Sequence, residues 1–338
     1  KDVRDIKVID PCMGSGHILV YAFDVLMQLY EDAGYSQRDA AKSILENNLY
    51  GLDIDDRAYQ LAYFAVMMKA RQYDRRLLTR GIQPNIYSIC ESNGIPAMTI
   101  EYFHKNDPKL KADIESIVTE MRDAKEYGSI LNITPVDFTG LYARFDEIRN
   151  DISMMKQAAL DELLPLVKCA EVLAQKYDVV VTNPPYIGLR NMSPKLFDYI
   201  MANYRNTKQD LFGIFIQVSL EQYCKKFGIV AMITQHVWMF TSGFEELRKK
   251  LYREKTISSL VHLGTRAFDE ISGEVVQTCC FVVSNYHIEQ YAGNYIRLVD
   301  YTSSSEKEQQ FQVASNRYTK TTASFMSVPG TPVCYWLS

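Results

Sequence analysis

Short apolar runs along the chain alternate with longer stretches in which apolar residues recur at helical spacing. Residues 6–10 form the first run and end in Asp10. The loop Pro11-Cys12-Met13-Gly14-Ser15-Gly16 follows, and then Ile18, Leu19, Ala22, Val25, Leu26 and Leu29 mark one face of a helix. A second helix, with Ser36 as its N-cap, reaches residue 48 and leads into Leu49-Tyr50-Gly51-Leu52-Asp53, another run closed by an acid. A helix over 55–71 and a strand over 85–90, followed by Glu91, complete the series. Strands that alternate with helices in this way predict an α/β fold with a mostly parallel, doubly wound sheet.

Residues 97–176 break the rhythm. They are charged and helix-rich without a strand pattern, and are expected to form a helical insertion. The sheet resumes at 178–182, a valine-rich strand that runs directly into Asn183-Pro184-Pro185-Tyr186. A helix is expected over 211–227, and strands over 228–234, 257–263 and 275–284, the last of them antiparallel. No internal repeat or low-complexity tract interrupts the pattern.

Composition narrows the class. The chain has 338 residues, 47% of them hydrophobic, which is enough for a buried core. No apolar run approaches the ~18 residues of a membrane span, and no signal-peptide pattern opens the sequence. The seven cysteines are odd in number and form no C-x-x-C pair, which fits a reducing, cytoplasmic setting without structural zinc. His17, His104, His236, His262 and His287 lack ligand spacing, so no metal site is expected.

The net charge of −4 argues against a nucleic-acid partner, but its distribution reverses the argument. Residues 101–176 carry fourteen acids against ten bases and so account for the whole imbalance. Residues 187–209 carry Arg190, Lys195, Arg205 and Lys208 against Asp198 alone, and a second basic cluster runs from Arg248 to Lys255. Solvated helix faces are the plain alternative for both clusters.

The glycine loop lies at the carboxyl edge of the first strand, where open α/β sheets bind ligands. Gly14 and Gly16 let backbone approach a ligand, and the amides of the following helix suit an anion such as a methionine carboxylate. A bare G-x-G is also an ordinary tight turn. Asp53 strengthens the binding reading, because an acid ending the second strand accepts hydrogen bonds from both ribose hydroxyls of an adenosine-containing cofactor. Glu91 is a candidate partner for the cofactor's adenine amine.

Asn183-Pro184-Pro185-Tyr186 carries the sharper chemistry. The lone pair of an exocyclic amine such as adenine N6 is conjugated into the ring, so a catalyst must accept hydrogen bonds from that nitrogen and draw it towards tetrahedral geometry. The Asn183 amide oxygen and the Pro184 carbonyl are suitable acceptors, and the prolines hold them rigid. Tyr186 offers a flat face to an extruded base. Direct attack on a sulfonium methyl then needs no nucleophile from the protein.

Asp10-Pro11-x-x-Gly14-Ser15-Gly16, followed far downstream by Asn183-Pro184-Pro185-Tyr186, resembles the gamma group of amino-methyltransferases. In Asp10–Leu19, in Gly51-Leu52-Asp53-Ile54-Asp55 and in Gln83-Pro84-Asn85-Ile86-Tyr87, and through nearly the whole chain, the sequence is similar to the PglX family, the adenine-specific methyltransferases of BREX phage-defence systems. The resemblance implies a Rossmann-like methyltransferase fold. It implies an S-adenosyl-L-methionine pocket at Asp10, Pro11, Gly14, Gly16, Asp53 and Ile54, with Asp210 helping to close it, and N6-adenine chemistry at Asn183, Pro184, Pro185 and Tyr186. It further implies double-stranded DNA with a flipped adenine as partner, alongside other defence proteins, and no membrane. The domains expected on this basis are a cofactor-binding half at 1–96, the insertion at 97–176, a catalytic half at 177–287 and the start of a truncated target-recognition region at 288–338. The chain is accordingly expected to be a fragment of a longer protein.

Two other functions use the same residues. A glutamine N-methyltransferase acting on release factors also places Asn-Pro-Pro-Tyr against an amide nitrogen; the long insertion and the Asp-Pro beside the glycine loop favour adenine. A non-catalytic, cofactor-sensing DNA-binding scaffold is disfavoured by the intact motif.

Overall fold

The computed structural model describes residues 2–267 and 276–337, and the chain divides into two units, 1–176 and 177–338. In the first unit, β1 (Val8–Asp10), β2 (Leu49–Asp53) and β3 (Asn85–Ser88) pair in parallel in the order β3-β2-β1. The first strand is shorter than its apolar run because the Asn48 amide takes the carbonyls of Val3 and Ile6 at 2.8 and 2.7 Å, leaving Val8 as the first residue available to the ladder. The third ends at Ser88, so Glu91 lies exposed three residues beyond it.

Helices α1 (His17–Asp32), α2 (Gln37–Ser43) and α3 (Asp56–Arg71) connect these strands. Ser36 caps α2 and Asp55 caps α3 through its carboxylate, the short polar side chains that free helical N–H groups require. Residues 97–176 contain α4 (Ala97–His104), α5 (Pro108–Glu120), α6 (Ala124–Tyr127), α7 (Phe138–Arg149), α8 (Met155–Ala158) and α9 (Leu164–Ala174), with no strand among them. Ile114, Ile117, Phe103, Phe145, Leu166 and Val167 give this helical segment its own apolar core.

The second unit holds β4 (Tyr177–Thr182), β5 (Cys224–Gln235), β6 (Thr256–Gly264), β7 (Thr278–Ser284), β8 (Ala292–Arg297) and β9 (Arg317–Thr321), in the order β4-β5-β7-β6-β8-β9. β4 and β5 are parallel, as are β6 and β8, while β7 runs antiparallel to both its neighbours, as its position in the sequence suggests. A second antiparallel strand, β9, closes the edge. Its Arg317, Thr319 and Lys320 leave no apolar run to read, which is the composition of an exposed edge. Val275, the first residue expected in β7, lies outside the described residues.

The helices of this unit are α10 (Pro194–Asn203), α11 (Leu211–Val218), α12 (Glu245–Glu254), α13 (Ser304–Gln310) and α14 (Thr322–Met326). The expected helix over 211–227 is cut short. After α11 a single wider turn, Ser219–Tyr223, passes straight into β5. The buried Asn285 amide collects the carbonyls of Leu220, Cys224 and Lys225 at 2.9–3.1 Å, which frees the backbone to join the sheet without helical hydrogen bonds.

Candidate functional site

In the first unit, the loop after β1 is built around positive φ angles, 52° at Gly14 and 86° at Gly16. At Gly16 glycine is required twice over: the conformation is left-handed, and an added Cβ would lie 2.9 Å from the Ala62 Cα on α3. At Gly14 an added Cβ would meet nothing within 4 Å, so the backbone there faces open space. Asp10 is buried and accepts the Cys12 N–H at 3.0 Å, fixing the start of the loop.

Asp53 ties the second strand to this loop. One carboxylate oxygen accepts the Gly14 N–H at 2.9 Å and the other the Asp55 N–H at 2.9 Å. The group therefore helps shape the loop and, with lone pairs remaining on each oxygen, can still accept from a ligand. Ile54 stands 51% exposed beside it, an apolar side chain only half covered.

Three contacts from the helical segment 97–176 were not readable in the sequence. The buried Ser129 hydroxyl donates to the Pro11 carbonyl. An added Cβ at Gly128, whose φ is 63°, would lie 3.0 Å from Ile54, and Lys125 pairs with Asp56 at 2.9 Å. The helical segment thus packs on the glycine loop from 118 residues away in sequence, and no local motif announces a contact of that range.

In the second unit, β4 ends at Thr182 and the Asn-Pro-Pro-Tyr segment begins at the next residue. Asn183 and Pro185 are exposed, Pro184 is buried and Tyr186 is half-buried. The Tyr186 hydroxyl donates to the Asn183 amide oxygen at 3.0 Å, while its ring meets Phe212 edge-on, with centroids 6.0 Å apart. Burial pushes the phenol pKa upward, so the hydroxyl stays protonated and remains a donor. The sequence showed Tyr186 as a face; the bond to Asn183 adds a device that orients the amide.

Asp210 caps α11. The same carboxylate oxygen accepts the Phe212 N–H at 3.3 Å and, across the chain, the Ile187 N–H at 3.0 Å. Backbone bonds from Leu211 to Ile187 and from Leu189 to Gln209, at 3.0 and 3.2 Å, close the same neck. Burial raises the Asp210 pKa above the ordinary carboxylate value, against which these backbone donors act. Asp210 thereby pins the segment that follows Tyr186 to the helix that carries Phe212. No cluster of metal-ligating side chains and no disulfide occurs among the described residues, and no helix among them is long and apolar enough to cross a membrane.

Comparison with known families places this arrangement. The model of the Eco57I restriction-modification methylases matches residues 47–268, a span that contains Asp53 and the whole Asn183–Tyr186 motif. The chain belongs to this methylase family. A second model, N-6 DNA Methylase, matches residues 1–80, where the glycine loop lies. Among curated relatives, the adenine-specific methyltransferase PglX of Lacticaseibacillus casei (strain Zhang) is 38% identical over all of this chain and 29% of its own length. The adenine-specific methyltransferase BrxX of Escherichia coli O9:H4 (strain HS) is 38% identical over 98% of this chain and 30% of its own length. The chain therefore spans less than a third of the length of these relatives.

Solved structures agree on the fold. The ATP-dependent Type ISP restriction-modification enzyme LlaBIII bound to DNA superposes with a TM-score of 0.56 at 13% identity, covering 94% of this chain and 20% of that one. The DrdV–DNA complex superposes with a TM-score of 0.55 at 14% identity, covering 95% and 27%.

Proposed function

We propose that this chain is the catalytic core of a site-specific DNA methyltransferase that transfers a methyl group from S-adenosyl-L-methionine to the N6 amine of adenine. The observation that carries the proposal is the exposed Asn183 amide at the end of β4, with its oxygen held by the Tyr186 hydroxyl, in a chain of the methylase family. The similarity to adenine-specific relatives selects adenine over a protein glutamine, and by the same likeness a role in phage defence or restriction-modification is proposed for the parent protein.

The residues of the first unit fit the cofactor. The open backbone at Gly14 suits the close approach of a ligand, the N-terminus of α1 suits a carboxylate, Asp53 suits the ribose hydroxyls and Ile54 an apolar ring face. Asp10 and Pro11 hold the loop in place, through the Cys12 amide and the Ser129 hydroxyl respectively. Glu91 is left as the candidate for the adenine amine of the cofactor. When bound, S-adenosyl-L-methionine supplies an electrophilic sulfonium methyl.

The remaining chemistry belongs to Asn183–Tyr186. The Asn183 oxygen and the Pro184 carbonyl accept the two N–H bonds of the target amine, localising its lone pair for attack. Both acceptors are preorganised, one by Tyr186 and the other by the proline-fixed backbone. Tyr186 also presents its ring to an adenine flipped out of the duplex, with Phe212 bracing the ring from its edge. After methyl transfer the amine loses one proton, which solvent removes without a dedicated base. The test supplies the intact protein with methyl-labelled S-adenosyl-L-methionine and, in parallel, host DNA or a release-factor substrate. Label is expected in DNA; label in the protein substrate instead, or in neither, overturns the proposal.

A further inference from the structure

We propose that the segment between Ile187 and Gln209 is a phosphate-binding lobe that grips the DNA strand beside the catalytic motif. The inference deepens the DNA-methyltransferase reading and rests on it. Three observations converge on this segment. Its two ends are fastened together, by the Gly188–Asp210 bridge and by the bonds of Ile187 to the Asp210 carboxylate and of Leu189 to the Gln209 carbonyl. It is thus an excursion hung directly from Tyr186. It is also internally braced: Ser193 caps α10 and Leu196 and Ile200 are buried. The Thr207 hydroxyl bonds Gln217 at 2.9 Å, and the Tyr204 hydroxyl accepts from Gln222 at 2.9 Å. Such a frame fixes the points from which the cations project.

The third observation is charge. Four cations stand against Asp198 alone within the lobe, and among the described residues no carboxylate pairs with Arg190, Arg205 or Lys208; the one bond of Arg205 is to the Met201 carbonyl. The other basic run of the chain behaves differently. Arg248 is buried and spends its guanidinium on the carbonyls of Trp238, Thr241, Gly330 and Thr331. Lys249 pairs with Glu245 and Glu246, and Lys250 with Glu221. Those three of the five cations between Arg248 and Lys255 are engaged within the fold, whereas Arg190, Arg205 and Lys208 of the lobe keep their charge for a partner. A polyanion is the complementary chemistry, and the place of the lobe next to Asn183–Tyr186 commits it to the phosphates flanking the target base.

The measurement is the salt dependence of binding of a double-stranded DNA oligonucleotide by the intact protein, read by fluorescence anisotropy over a series of KCl concentrations. Each lost phosphate contact lowers the slope of log affinity against log salt by about 0.9. The combined Arg190→Ala, Arg205→Ala and Lys208→Ala variant should therefore lose between roughly two and three units of slope, equally for any DNA sequence, with unchanged thermal melting and cofactor affinity. Lys250→Ala should leave the slope as it is. A triple variant with the wild-type slope overturns the lobe and leaves the methyltransferase reading standing. A wild-type protein that binds no DNA overturns both. A triple variant that keeps its DNA slope but loses capture of an acidic protein assigns the lobe to a protein partner, and also overturns the proposal.

Discussion

Asn183 and Tyr186 are three residues apart, and the bond between them makes the acceptor geometry a property of the motif itself. Asn183→Ala is expected to lower the methylation rate by roughly 10² to 10³ while cofactor affinity stays near wild type, because the role proposed for the amide is on the target amine and not on the cofactor. Tyr186→Ala should lose both ring and hydroxyl; Tyr186→Phe, which keeps the face against Phe212, should retain more activity than Tyr186→Ala. On the cofactor side, Asp53→Ala removes the acceptor for the Gly14 and Asp55 amides as well as the proposed ribose contact. Calorimetry with S-adenosyl-L-methionine should show a loss of about 1.5–3 kcal/mol, and an unchanged affinity would remove Asp53 from the site. Gly16→Ala forces a side chain into a left-handed conformation and against Ala62. A stability loss of about 1–3 kcal/mol is expected in urea unfolding, and a wild-type midpoint would contradict the tight packing of α1 on α3.

At the scale of elements, what the sequence disclosed was local and periodic. The run Leu49–Asp53, the caps Ser36 and Asp55 and the strand leading into Asn183 were legible because each depends on neighbours in the chain. What escaped depends on distant side chains. The Asn48 amide shortens β1, the Asn285 amide turns the end of an expected helix into β5, and Ser129 reaches the glycine loop from the helical segment 97–176. The end of β5 offers a pH test of one such contact. His236 and His262 share a hydrogen bond at 2.7 Å, and the other His262 nitrogen meets the Tyr335 hydroxyl at 3.0 Å. Burial, and then the nearby charges of His236, Arg297 and Lys307, hold the His262 pKa down to about 3, with Asp300 acting weakly the other way. The folded state therefore binds fewer protons than the unfolded chain between that value and the ordinary 6.5. Stability should be full above about pH 6.5 and fall as the pH drops through the window, by up to about 1.4 kcal/mol per unit. Melting temperature against pH checks it: His262→Gln should flatten the profile between pH 5 and 6.5, and an equally steep profile in that variant would contradict the assignment.

For the whole molecule, net charge misleads and charge distribution informs. The acidic excess sits in residues 101–176, and the two basic runs, alike in sequence, differ once folded: Arg248, Lys249 and Lys250 are engaged by carbonyls and acids, while Arg190, Arg205 and Lys208 meet no carboxylate among the described residues. The fold class was readable from the alternation of strands and helices, and the proposed reaction rests on a few residues at two strand ends. The central claim is methyl transfer to adenine N6. Its most direct test is the product: DNA from cells carrying the intact parent protein, or its Asn183→Ala variant, digested and read by a method that separates N6-methyladenine from N4-methylcytosine. The account predicts N6-methyladenine with the wild-type protein and none above background with Asn183→Ala. N4-methylcytosine, or undiminished N6-methyladenine in the variant, would contradict it.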